Sequence, residues 1–181
     1  RALSSMDPSR SQARLHFEGA AATELGENID GEEALSQLLD KAAVLFAFEQ
    51  IGGGQAAMDM GIAYTKERFA FGRSIASFQA IKHKFADMYV ALQLARANAY
   101  YGAWALSCDA PDLPLAAATA RVSASDAYYQ ITRENIQAHG GMGFTWEFDC
   151  HLYYRRAQLL SGVVGTQPYW KEAVASRLLS A

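Results

Sequence analysis

At 181 residues, 51% of them apolar, the chain is long enough to bury one sizeable core. Its 16 basic and 19 acidic side chains give a net charge of −3 and are mixed along the sequence, which excludes the basic stripe that grips a nucleic-acid backbone. No apolar run approaches the roughly 20 residues of a membrane-spanning helix, and the longest, Ala42 to Phe48, stops at Glu49. Cys108 and Cys150 form neither a CxxC pair nor a disulfide framework, which fits a reducing, cytoplasmic setting. His16, His83, His139 and His151 lack metal-ligand spacing, so no metal is expected. The first residue is Arg1 rather than methionine, as in a piece of a longer chain.

In chain order, "ARLHFEGA" sets Ala13, Leu15 and Phe17 against Arg14, His16 and Glu18, the period of a short strand ending at a glycine turn. From about Glu32 the helical period takes over. The first helix is expected from about Glu33 to Lys66, with Leu35, Leu38, Leu39, Leu45, Met58 and Ile62 as apolar surface. Gly52-Gly53-Gly54 interrupts it at about 1 kcal/mol per glycine relative to alanine. Close approach by another helix is the plain reason, because no phosphate-loop pattern accompanies the glycines. The second helix, capped by Ser77, carries Phe78, Ile81, Phe85, Met88, Leu92, Ala95 and Ala99 at spacings of three and four, the seam of an antiparallel neighbour. Asp112 and Pro114 open a third helix whose face is Leu115, Ala118, Val122, Ser125, Tyr129 and Ile136, ending at Gly140, Gly141 and Gly143. Further helix is expected over about 148–160 and 168–179. The class is all-α: an up-and-down four-helix bundle preceded by a short β segment.

Two stretches hold candidate chemistry. In residues 66–88, Arg68 and Arg73 flank Gly72 while Phe71 and Gln79 stand near, a set able to give a planar anion guanidinium, ring and amide contacts. A solvated turn between helices has the same composition. In "QAHGGMGF", Gln137 precedes glycines that let backbone N–H groups approach a ligand; an ordinary glycine-terminated helix looks similar.

Taken in order, these stretches resemble the C-terminal helical domain of the acyl-CoA dehydrogenase family. Its arginine-x-x-phenylalanine-glycine pattern, with a glutamine seven residues after the glycine, is matched by Arg68, Phe71, Gly72 and Gln79; its glutamine, glycine pair and aromatic are matched by Gln137, Gly140, Gly141 and Phe144. The resemblance covers about residues 33–179. It implies that residues 1–27 end the family's middle β-domain and that 28–181 form the bundle domain. It further implies an enzyme that takes hydrogens from Cα and Cβ of an acyl-CoA thioester, passes a hydride to FAD and then electrons to an electron-transfer flavoprotein. Arg68, Phe71, Gln79, Gln137 and Gly141 inherit contacts to the FAD of a neighbouring subunit in a homo- or hetero-oligomer, a dimer or tetramer.

The family's catalytic glutamate stands one residue before a Gly-Thr pair, which here is Gly165-Thr166. The base position therefore holds Val164, while Thr166 matches a flavin-contacting threonine and Pro168 replaces an expected glutamine. Valine accepts no proton, and the reaction needs a carboxylate within roughly 3 Å of the one abstracted. Some members carry the base twenty-six residues before the arginine, but that position is Ala42. Glu49, two turns further on and on roughly the same face, is the candidate base within this chain, with Asp40 as another carboxylate of the same helix. The stretch "GMGFTWEFDCHLYYRRA" resembles a bacterial branch with two different subunits, some acting on sterol side chains. In such an assembly this chain is a non-catalytic partner that completes another subunit's flavin site.

Overall fold

The computed structural model describes residues 2–23 and 30–179; the expected domain boundary at 27/28 lies outside them. Asp30 starts helix α1 (Gly31–Glu67) by accepting at one carboxylate oxygen from the N–H groups of Glu32 and Glu33, at 2.9 and 3.3 Å. Glu32 and Glu33 in the first turn and Lys66 in the last complement the helix dipole. A hairpin follows, β3 (Phe69–Ala70) against β4 (Arg73–Ser74), then a 3-10 turn and α2 (Gln79–Ser107). α3 (Leu113–His139) runs into a second 3-10 turn over Gly140–Phe144, and α4 (Cys150–Leu160) and α5 (Gln167–Leu179) complete the described chain.

α3 is the central element and packs against α1, α2, α4 and α5. Its composition explains the placement. Ala116, Ala117, Ala118, Ala120, Ala124 and Ala127 are buried, and side chains this small let helices approach from several sides. This corrects the single face expected for α3, on which Tyr129 is exposed whereas Tyr128 is buried. The α2 seam is as expected from Met88 through Leu92, Ala95 and Ala99. Its first member is not: Phe78 is the N-terminal cap residue, and the Ser77 hydroxyl donates to the Ser74 carbonyl instead of capping the helix.

The three glycines do not interrupt α1. A Cβ on Gly53 would lie 2.6 Å from the Tyr128 ring, so close approach by α3 accounts for that residue, while one on Gly52 would meet nothing within 4 Å. α1 also has two apolar faces. Ala43, Val44, Ala47 and Ile51 are buried, whereas Leu35, Leu38 and Leu45, expected among the helix's apolar surface, are exposed.

The strand expected over 13–20 is mostly absent. Only β1 (Ala2–Leu3) and β2 (Gln12–Ala13) pair, antiparallel, and Leu15 and Phe17 are exposed. Alternation produces a strand only where a neighbouring strand takes its backbone bonds, and among the described residues none does beyond Ala13. The segment is instead tied to the bundle by charge. Asp7, buried, accepts from Ser9 N–H at 2.9 Å and from Arg156 Nη1 at 3.1 Å, and Arg156 also holds Glu49. Burial pushes the Asp7 carboxyl up, but the Ser9 and Arg156 bonds outweigh it and hold the group below its ordinary range. A lowered folded pKa contributes stability above the unfolded value and loses it as pH falls through the folded one. Thermal melting should therefore fall more steeply below about pH 4 in the parent protein than in Asp7→Asn; equal slopes would show the clasp adds nothing.

Candidate functional site

The Arg68 motif is built by a reversal of the chain. Arg68 is the C-cap residue of α1, its N–H bonded to Tyr64 O at 2.9 Å and its carbonyl accepting from Ile75 N–H at 2.8 Å. The two-residue hairpin loop is Phe71 at φ 53° and Gly72 at φ 78°. Both central residues of such a primed turn need positive φ, which glycine meets freely and phenylalanine only at a cost of about 1–3 kcal/mol. Phe71 is also 95% exposed, so this strain is not repaid by burial of the ring. Phe78 stands edge-on to Phe71 with centroids 6.3 Å apart, and the Arg73 guanidinium lies 4.0 Å from the Phe78 ring centroid. Gln79 opens α2, exposed, its Nε2 3.4 Å from His83 Nε2.

The second motif closes on the same end of the bundle. Tyr64 stacks on His139 at 4.1 Å, and its hydroxyl donates to His139 O at 3.4 Å, joining the end of α1 to the end of α3. Arg68, Tyr64, His139 and Phe148 line one cavity of about 450 Å³. Gln137 is exposed in the last turn of α3, and its carbonyl accepts from Gly140 N–H. A Cβ on Gly140, Gly141 or Gly72 would meet nothing within 4 Å, so these surfaces are open from outside the chain. Arg68, Phe71, Gln79, Gln137 and Gly141 thus share one exposed end. The aromatic cluster of Tyr64, His139 and Phe148 was missed in the sequence because its members are spread over three elements without a common spacing.

Val164 and Thr166 lie elsewhere. Val164 packs beside Trp170 on a cluster of Ala43, Val44, Ala117 and Ala118, in the N-terminal halves of α1 and α3. The following helix is anchored by Gln167, whose Nε2 donates to Asp126 Oδ1 at 2.6 Å, so this loop and Gln137 are separated by about 17 Å along α3 at 1.5 Å per residue. Thr166 is exposed, its carbonyl accepting from Trp170 N–H at 3.1 Å. Val164, at φ 54°, and Gly165, at φ 116°, form the turn.

The two carboxylates of α1 are engaged. Arg156 donates through Nε to Glu49 Oε1 at 2.8 Å, and again through Nη2, at the edge of a cavity of about 580 Å³ that Tyr128, Tyr153 and Arg10 also line. Asp40 accepts from Arg177 Nη1 at 3.0 Å; burial raises its pKa more than Arg177 lowers it. No group of three or more metal-ligating side chains occurs among the described residues, Cys108 and Cys150 are free thiols, and no described helix is long and apolar enough to cross a membrane.

Residues 30–179 match the C-terminal domain of acyl-CoA dehydrogenases. The chain is 43% identical over 155 residues to acyl-CoA dehydrogenase IpdE2 of Mycobacterium tuberculosis, a stretch that is 86% of this chain and 44% of that protein. It superposes on butyryl-CoA dehydrogenase of Megasphaera elsdenii with a TM-score of 0.79 at 29% identity, over 82% of this chain and 39% of that one. On a steroid ACAD, Tcur3481-Tcur3483, the TM-score is 0.78 at 27% identity, over 83% of this chain and 41% of that one. The chain thus spans less than half the length of these relatives, and with its helical domain matched almost from end to end it belongs to the acyl-CoA dehydrogenase family.

Proposed function

We propose that this chain is the C-terminal part of an acyl-CoA dehydrogenase subunit and that its Arg68 end completes the FAD site of a neighbouring subunit. The family is one of FAD-dependent flavoproteins. The observation that carries the reading is the gathering of Arg68, Phe71, Gln79, Gln137 and Gly141 on one open surface, with Phe71 strained and displayed rather than buried. The donor set suits the cofactor. A guanidinium pairs bidentately with pyrophosphate, exposed amides offer donors and acceptors, and glycines without neighbours allow backbone approach. FAD, when bound, supplies the hydride acceptor for α,β-dehydrogenation of an acyl-CoA thioester; these residues bind and orient it and exclude water. The steroid-acting relative supports a bulky acyl group as substrate. Electrons then leave to an electron-transfer flavoprotein, and residues 1–27 end the middle β-domain.

An oligomer fits this reading, with the Arg68 end serving the flavin of a neighbouring subunit while the Val164 loop lies about 17 Å away along α3. The outer side of α2 presents Val90, Leu94, Tyr101 and Trp104 as an exposed apolar stripe suited to a second subunit.

A second reading, that this chain is a non-catalytic partner of another subunit, is favoured by two observations. Val164 sits among hydrocarbon at the base position, and Glu49 is held by Arg156. Flavin absorbance per subunit in the full-length assembly tests the first reading: Arg68→Ala should retain at least tenfold less FAD on dialysis, and unaltered flavin content would sink it. Acyl-CoA-dependent dye reduction separates the second. Turnover by the lone protein that vanishes in Glu49→Gln would assign the base to Glu49, whereas turnover only beside a partner subunit, untouched by Glu49→Gln, supports the base-less role.

A further inference from the structure

Among the alanines of α3 stands one fully buried arginine. Arg121 is 1% exposed, and among the described residues its guanidinium meets no carboxylate. Burial lowers its pKa to about 10, which leaves it charged at neutral pH. Taking such an ion out of water without a counter-ion costs several kcal/mol, and an apolar side chain of similar volume would fill the space more favourably. Packing alone does not explain it.

Its partners do. Nη1 donates to Gln50 Oε1 at 2.7 Å, and Nη2 donates to the Leu160 carbonyl and, at 2.8 Å, to the Val163 carbonyl. Gln50, itself buried, donates to Ser125 Oγ at 3.0 Å, which aims its amide oxygen at the guanidinium. Leu160 ends α4, where carbonyls have no helical partner, and Val163 precedes Val164. From the other side Trp170 Nε1 donates to Val164 O at 3.2 Å. Three loop carbonyls are therefore held by two buried side chains from different helices. Between the clamps Val164 adopts φ 54°, a left-handed conformation that is a marked outlier for a β-branched residue and persists only where the surroundings over-determine it.

We propose that Arg121 is a positioning residue: through the carbonyls of Leu160 and Val163 and the amide of Gln50, it holds the 160–166 loop, with Val164 in its left-handed turn, in one conformation beside the flavin and acyl group. The inference rests on the reading that this loop borders a flavin and substrate site, and its test separates the two. The flavin-loaded full-length assembly is compared as parent, Arg121→Met and Arg121→Lys by hydrogen exchange, thermal melting and visible circular dichroism of the flavin. Arg121→Met should raise exchange in the peptide spanning residues 160–169 at least tenfold while α1 to α3 stay within twofold, and should alter the flavin dichroism. Arg121→Lys keeps the charge, but a single ammonium cannot span three acceptors, so its loop exchange should fall between the two. It also serves where the methionine variant does not fold. Unchanged loop exchange in whichever variant folds would overturn the proposal. Faster loop exchange with an unaltered flavin spectrum would uphold the clamp and overturn the placement of the loop beside the cofactor.

Discussion

Replacing Trp170 with alanine is expected to cost about 3–5 kcal/mol of stability, the largest loss of any single side chain considered. Trp170 is 1% exposed, packs on Ala43, Val44, Ala117 and Ala118, and stands edge-on to Tyr169 with centroids 5.1 Å apart. Alanine there leaves a cavity bounded by residues already too small to fill it. It also leaves the Val164 carbonyl without its donor. At roughly 2–4 °C per kcal/mol, melting should fall by about 6–20 °C. Trp170→Phe keeps most of the volume and loses only the N–H, so it should cost about 1–3 kcal/mol. A melting loss for alanine no larger than for phenylalanine would show that the cavity closes and that α5 is not a core element.

The second large effect comes from the glycine triplet, and it has opposite signs at adjacent positions. A Cβ on Gly53 would meet the hydroxyl and ring of Tyr128 at 2.6 Å. Tyr128 is buried and belongs to a cluster with Ala157 and Leu160, so its ring can yield only toward the cavity that it lines with Gly53. Gly53→Val should therefore destabilise by about 1–3 kcal/mol, overpacking outweighing any gain in helix propensity. At Gly52 nothing lies within 4 Å, so Gly52→Ala should stabilise the subunit by about 0.5–1 kcal/mol through propensity alone. Denaturant melts of the two variants beside the parent decide the matter. Two losses of equal size would mean that the glycines act through backbone freedom rather than through the α3 contact.

Much of the candidate site was legible in the sequence, for a physical reason. The Arg68-x-x-Phe71-Gly72 run closes a two-residue turn whose dihedral demands are local, and Gln137 with the following glycines ends a helix, also a local event. Local pattern does not decide a non-local contact. Leu15 and Phe17 alternate as a strand does, yet no described neighbour takes their backbone bonds. Leu35, Leu38 and Leu45 recur at helical spacing, but α1 has two such faces and periodicity does not say which one α3 covers. Arg121 stood unremarked because one arginine in an alanine-rich helix has no spacing that marks it.

By itself, the sequence determined the helical class, the turn at Phe71-Gly72, the ends of the helices to within a few residues and the absence of an acid at position 164. Each of these depends on neighbours a few residues away, through capping, periodicity and backbone freedom. Only tertiary structure decided that α1 runs unbroken through three glycines, that Glu49 is held by Arg156 and that Arg121 grips the loop. Those contacts join residues as far as 107 positions apart, and their sign depends on burial and on the direction of a neighbouring helix, which no local pattern carries.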